Sequence, residues 1–489
     1  MASATAFGQA STSARTPFAP SVDVAAQRGP QIFNSLFDSL RRWGATVHPN
    51  GMSFALATVP EGVLLHHGNG RNATPTTLDW LAYEIEHAEI FAKYRMGHPY
   101  RAGRSSSGES TNALIGVEDV AAQAPLGGYE SVDNDDDDDD NAASSDETGH
   151  GWLHTFRTTR PLQFLYIDGM SGNKGNSGVI DTQDYILRAT STSASQPVGP
   201  PNHEPDPRPP GPPGEYARAL DLCALCAEWQ LHGVIRTESA GTEIIKCNFS
   251  DGLEQIQSLR RADPDAHPHP GGADRGGFPS RRHSRADAFR DVGAGRTRLD
   301  DSSWVSAFVF PVNLTNPDAQ EPTLPRLVST SADERIAIRT YLMDVVNERR
   351  GAAAASVSWR DVADLVVRRY ADSMAFLAFN ATTRSDFVDR TRFLLDVFVD
   401  YSVADAAERD AAAEARCATF YMQGKQLDTE SDHLLYAAFK AVTAEICATL
   451  FGVRRLVTKD TGHDDDASWR NGKASLVQLV DYLGWSVFK

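Results

Sequence analysis

The segment from Gly233 to Phe249 constrains this chain most. It reads Gly233-Val234-Ile235-Arg236 and then Thr242-Glu243-Ile244-Ile245-Lys246-Cys247-Asn248-Phe249, two short runs rich in β-branched residues with Gly, Ser and Ala between them, which is the pattern of paired strands. The apolar density of both runs predicts burial in a sheet, and Glu243 then becomes a carboxylate inside a core. Such a group has to be paired or put to use, because an isolated charge in an apolar setting is costly. One reading is an ion pair with Arg236 on the neighbouring strand. The other is function.

Two earlier segments supply groups for the functional reading. Val63-Leu64-Leu65-His66-His67-Gly68 reads as a strand ending in His-Gly, and Trp80-Leu81-Ala82-Tyr83-Glu84 as a second strand, followed by a helical Ala88-Glu89-Ile90-Phe91-Ala92. His, Tyr and Glu thus occur in chain order. This order resembles the His-Tyr-Glu plan of ADP-ribosyltransferase-like domains, over residues 30 to 260. The resemblance implies an α+β domain with a split, largely antiparallel sheet, and NAD as the substrate with no metal. Carried onto this chain, it places His67 beside Gly68 on a ribose of NAD and Tyr83 on the nicotinamide. It places Glu243 on the ribose hydroxyl beside the breaking bond. The chemistry requires a carboxylate near developing positive charge and groups that fix the sugar. Arg157, with Arg160, is the candidate for the pyrophosphate. The acceptor would be a small nucleotide or an unidentified protein. Separately, Asn50-Gly51-Met52-Ser53-Phe54 and Tyr166-Ile167-Asp168-Gly169-Met170-Ser171 resemble a filamentous-fungal family without an assigned activity.

Charge narrows the partners. The formal net charge is −18, which argues against a nucleic-acid backbone, since phosphate binding needs a concentrated basic surface. Asp133 and Asp135 to Asp140 place part of that charge in one loop. No uninterrupted apolar run reaches the roughly 18 to 20 residues that span a bilayer, so no membrane segment is expected. Met1 to Pro20 lacks the apolar core of a secretory signal, and a cytoplasmic location is the default expectation. Five cysteines in 489 residues do not suggest a disulfide framework. Cys223 and Cys226 lie at helical spacing among apolar residues, which suits a core better than a zinc site.

The organisation follows composition. Residues 1–29 read as a disordered tail, and 30–325 as the α+β domain. Polar, acidic or Pro-rich insertions are expected at 97–150, 190–214 and 260–300. Near residue 330 the pattern shifts to Ala, Arg, Asp and Leu with helical periodicity, which predicts a separable all-helical domain over 326–489. Ser331 with Glu334 makes a capping box and Gly351 a helix stop. Two rivals stand beside the NAD reading. Asp168, Asp181 and Asp184 could form the carboxylate cluster of a hydrolase. Alternatively, the chain is a non-catalytic binding or assembly protein whose C-terminal helices are the contact surface.

Overall fold

The computed structural model describes residues 18–92, 151–175, 177–188, 214–238, 241–261, 295–352, 358–458 and 465–489. The insertions expected at 97–150 and 190–214 lie outside these residues, apart from Gly214, as does most of 260–300 and of the tail.

Nine strands form one sheet. In chain order they are β1 (Ser53–Val59), β2 (Leu64–Asn69), β3 (Asp79–Ala82), β4 (Trp152–Thr158), β5 (Leu162–Ile167), β6 (Gly233–Glu238), β7 (Gly241–Lys246), β8 (Leu253–Arg260) and β9 (Arg298–Ser306). Their spatial order is β8-β4-β2-β3-β7-β6-β5-β1-β9. The sheet is curled, and among the described residues only β5 and β6 pair in parallel. It is therefore mostly antiparallel, as expected, but it runs as a single ladder. The central strands β6 and β7 are buried at every position, which accounts for their near-continuous apolar character. Strand β8 was not foreseen. Its residues, Glu254, Gln255, Gln257 and Ser258 among them, are all half-buried or exposed, as suits an edge strand.

The N-terminal helices are α1 (Val22–Gln27), α2 (Gly29–Phe37), α3 (Arg42–Val47), α4 (Ile85–Phe91) and α5 (Glu215–Glu228). Helix α1 falls inside the expected tail, started by Ser21, whose hydroxyl accepts from Val24 N. The C-terminal region contributes α6 (Ala332–Arg349), α7 (Trp359–Ala375), α8 (Arg384–Leu395), α9 (Ala406–Thr419), α10 (Glu430–Thr458) and α11 (Asp465–Leu483). The Ser331–Glu334 capping box forms, and Gly351 takes φ +77° just past the helix end.

One continuous apolar core joins sheet and helices. Helix α2 buries Ile32, Phe33, Leu36 and Phe37, spaced so that they form one stripe. The Phe33 ring lies 4.7 Å from that of Phe439 on α10 and 5.7 Å from that of Trp485 after α11. Helix α10 is long and apolar enough to cross a membrane, but most of its apolar stretch is buried inside the protein. Its scattered charges kept it from reading as one apolar run.

The cysteines depart from expectation. Cys223 on α5 is joined to Cys247 after β7, and Cys417 on α9 to Cys447 on α10. Cys226 alone is the buried thiol that the helical spacing predicts. Both pairs are distant in sequence, so spacing could not reveal them.

Candidate functional site

Strand register decides which predicted residues meet. Antiparallel partners share a face and successive residues alternate between faces. His66 is paired with Ala82, Ala82 with Glu243, and Glu243 with Arg236. This row of four lies on one face. His67, one residue on, therefore points to the other.

The contacts agree. His67 is buried and its Nδ1 donates to Trp80 O at 2.7 Å, with Nε2 3.7 Å from Asp79 Oδ2. Its ring packs on His154 and Phe249. The adjacent Gly68 is demanded by packing: a Cβ there would stand 2.0 Å from Ala88 O and 2.6 Å from Ala92 N, so glycine lets α4 lie against β2. Tyr83 follows β3 and is buried. Its hydroxyl is 2.5 Å from Thr297 Oγ1 and its ring is covered by the Arg296 guanidinium at 4.7 Å. Arg157 is half exposed on β4 and pairs with Glu254 on β8 at 2.5 Å. The register thus directs the His67 and Glu243 side chains to opposite faces, although both residues border one small cavity, and Tyr83 lies under Arg296.

Glu243 is instead the centre of a buried ionic cluster. Arg236, Glu238 and Glu243 project from the same face of the β6–β7 hairpin. Arg236 Nη2 lies 2.9 Å from Glu243 Oε2 and 2.6 Å from Glu215 Oε1 on α5, and Nη1 donates to Gln183 Oε1 at 2.8 Å. The ion pair read from the sequence is therefore present. Lys174 enters from the Gly169–Gly178 loop, with Nζ 3.2 Å from both oxygens of Glu243 and 3.3 Å from Glu238 Oε2. Gly172 makes that approach possible, because a Cβ there would come within 2.9 Å of Glu243 Oε2. His87 on α4 pairs with the other oxygen of Glu238. Beyond Glu215 the network continues through Arg218 to Asp184.

The same burial acts differently on the two hairpin carboxylates. Burial alone would raise Glu238, but Lys174 and His87 overcome it and hold Glu238 at about 2. Glu243 stays above the ordinary carboxylate range, since burial, with repulsion from Glu238 and Glu215, outweighs Arg236 and Lys174. His87 is raised: burial opposes its charge, but Glu238 dominates. Paired groups with divergent proton affinities mark functional sites more often than chance, although structural networks also produce them. Beside the cluster lies a cavity of about 20 Å³, whose lining includes His66, His67, Gly68, His87, Ala88 and Glu243.

The three aspartates proposed for a hydrolase do not meet around one centre. Asp168 accepts from Ser53 N at 2.7 Å, Asp181 pairs with Arg326, and Asp184 with Arg188 and Arg218. Among the described residues no group of three or more His, Cys, Asp or Glu could hold a metal ion. Asp168 fixes the fold: it binds the strand that carries Asn50-Gly51-Met52-Ser53-Phe54, so the two motif segments adjoin at the ends of β1 and β5. Arg236 and Glu238 are the partners the sequence reading underused. Their spacing of two on a buried strand was the available signal.

A family model described as the YPL277C N-terminal domain matches residues 16–267, just over half of the chain. Two Saccharomyces cerevisiae proteins are similar. Uncharacterized protein YPL277C is 28% identical over 249 residues, 50% of this chain and 46% of that protein. Uncharacterized protein YOR389W is 27% identical over 247 residues, 50% of this chain and 35% of that protein. The matched segment thus spans less than half the length of either relative. No solved structure matches. The family segment contains every residue of the cluster around Glu243, while the helical region from α6 onward lies outside it. This chain belongs to the YPL277C N-terminal domain family.

Proposed function

We propose that this chain is a binding or assembly protein whose C-terminal helices supply the contact surface. The observation that carries this reading is an apolar stripe on and just beyond α8. Phe393, Val397 and Tyr401 follow one another at intervals of four residues and are 64%, 70% and 64% exposed. Single exposed apolar residues need no explanation, but three large ones this exposed so close together in the chain are grounds for proposing an interaction surface. Arg369 lies over the Phe393 ring and Arg409 over that of Tyr401, keeping the stripe hydrated at its margins. A groove of about 680 Å³ between α10 and α11, lined by Glu445, Thr449, Gly452, Leu456, Ser475 and Tyr482, offers further concave surface on the same region. The test is analytical ultracentrifugation of the full chain and of Phe393→Asp/Val397→Asp over a wide concentration range. Self-association of the first, lost in the second with an unchanged melting temperature, supports the reading. A strictly monomeric chain whose double variant also melts lower places the stripe in the fold instead.

Cleavage at the nicotinamide-ribosyl bond is the second reading, favoured by one observation: Glu243 is a buried carboxylate of raised proton affinity. NAD should then raise the melting temperature of the wild type without metal, and Glu243→Gln should keep that binding while losing cleavage. Absence of any NAD effect removes this reading.

A further inference from the structure

The ionic cluster has a feature that ion pairing leaves unused. On the cavity side, Glu238 and Glu243 share a single ammonium, Lys174, and the second oxygen of Glu238 takes the His87 ring instead. Arg236 divides its charge between Glu243 and Glu215. Glu243 accepts three hydrogen bonds, one at Oε1 and two at Oε2, where a carboxylate offers about four acceptor sites. His87 is 2% exposed, and its Nδ1 is buried without a hydrogen-bond partner. Both residues line the same cavity, whose volume of about 20 Å³ suits one water-sized group. Ala82, Ala88 and Phe91 form its apolar walls.

We propose that this cavity is a site for a primary ammonium group, either the ammonium ion or the head of a small alkylamine. The remaining acceptor capacity of Glu243 receives an N–H, and the apolar wall receives the carbon attached to it. The Glu243 carboxylate in the lining disfavours an anion. His87 faces Glu238 from β6, Glu243 from β7 and Glu84 at the start of its own helix, shares the cavity lining with His66 and His67 from β2, and has the Phe91 ring 5.6 Å away. Its imidazolium charge and a bound ammonium would stand in one water-excluded space, where repulsion is strong. They therefore compete: binding of the ammonium releases the His87 proton to solvent, and the cluster keeps its charge. This site is independent of the helical contact surface.

Isothermal titration of the full chain with ammonium chloride and with methylammonium chloride tests the proposal, with sodium and tetramethylammonium chloride as controls. Titration in two buffers of different ionisation enthalpy counts the protons. The expected result is saturable binding of the two small ammonium ions, release of up to about one proton, and affinity that rises up to about tenfold per pH unit while His87 titrates. His87→Gln should bind with neither proton release nor pH dependence. Glu243→Gln should not bind. Because that change could disturb folding, Ala88→Leu provides a second route, filling the cavity while leaving every charge in place, and it should also abolish binding. No binding by the wild type, equal binding of tetramethylammonium, binding without proton release, or binding that survives both Glu243→Gln and Ala88→Leu would each overturn the proposal.

Discussion

Lys174 Nζ stands 3.2 Å from both carboxylate oxygens of Glu243, on a side chain that is only 6% exposed. A loop lysine is thereby turned into a core residue, and the loop that follows β5 is fixed over the β6–β7 hairpin. Removing one member of a buried pair leaves the other uncompensated, whereas removing both often costs little. Lys174→Met should therefore lower stability by about 3–5 kcal/mol. Adding Glu243→Met should recover part of that loss, since the two sites are in contact and their effects do not add. Urea titrations of the two single variants and the double variant measure the coupling. Simple additivity would show that the pair contributes no mutual stabilisation.

Stability should peak on the acidic side of neutrality. Glu238 and Glu215 are held at about 2 against a usual 4.5, so their contribution is present above about 4.5 and is lost as pH falls from there toward 2. His87 is raised; its contribution is full below its unfolded value of 6.5 and is lost as pH rises through its folded value. Asp38 and Asp168 are both pushed up to about 7 by burial. Raised acids favour the folded state while protonated, so their contribution fades between 3.8 and about 7. The gain from Glu238 and Glu215 is nearly complete at about pH 4–5, and above it first Asp38 and Asp168 and then His87 lose their contributions, so the sum is greatest at about pH 4–5. Melting temperatures across pH 3 to 9 should show the maximum there, and a maximum above pH 8 would contradict these assignments.

The residues explain which parts of this architecture were legible. Periodicity marked the C-terminal helices, because Trp359, Val362, Val366 and Tyr370 on α7 alternate with charges at helical spacing. The capping box at Ser331 was legible for the same local reason. Which histidine side chain shares the face of Glu243 depends on a property that is not local. A shift of one residue moves a strand side chain to the opposite face, and only the pairing of His66 with Ala82 and of Ala82 with Glu243 fixes which histidine shares the Glu243 face. Sequence also could not distinguish a binding glycine from a packing one at Gly68, since both demand an absent Cβ. Asn248 shows the boundary problem: it was placed in a buried strand, but β7 ends at Lys246 and Asn248 is exposed.

Gly68 makes its own prediction. The atoms that a Cβ would meet, Ala88 O and Ala92 N, are backbone of α4 and its end and have no rotamer by which to yield. Gly68→Ala should push α4 off β2 and cost about 1–3 kcal/mol. Gly424, around which nothing lies within 4 Å and whose φ is not positive, is the matched control, and Gly424→Ala should change stability by less than about 0.5 kcal/mol. Because α4 carries His87, Gly68→Ala should also shift the pH dependence of stability. Equal melting temperatures for the two variants would mean that α4 is loosely held.

The helical region was expected to separate from the sheet, and the packing argues otherwise. Phe33 on α2 is fully buried between rings contributed by α10 and by the residues after α11. The Asn34 amide donates to Leu483 O at 2.8 Å, and Ser486 Oγ donates to Asp38 at 2.7 Å. Asp432 on α10 accepts from Ser302 Oγ on β9 at 3.1 Å and from Trp359 Nε1 on α7 at 2.8 Å. A chain ending at residue 331 would expose Phe33 and the outer face of β9 and leave buried polar groups unpaired. Each unpaired group costs about 1–3 kcal/mol, against a total domain stability of only about 5–15 kcal/mol. The truncated chain should therefore lose its cooperative thermal transition and bind a hydrophobic dye, while the full chain melts in one step. Two resolved transitions in the full chain, with the first 331 residues retaining one of them alone, would restore the picture of separable domains.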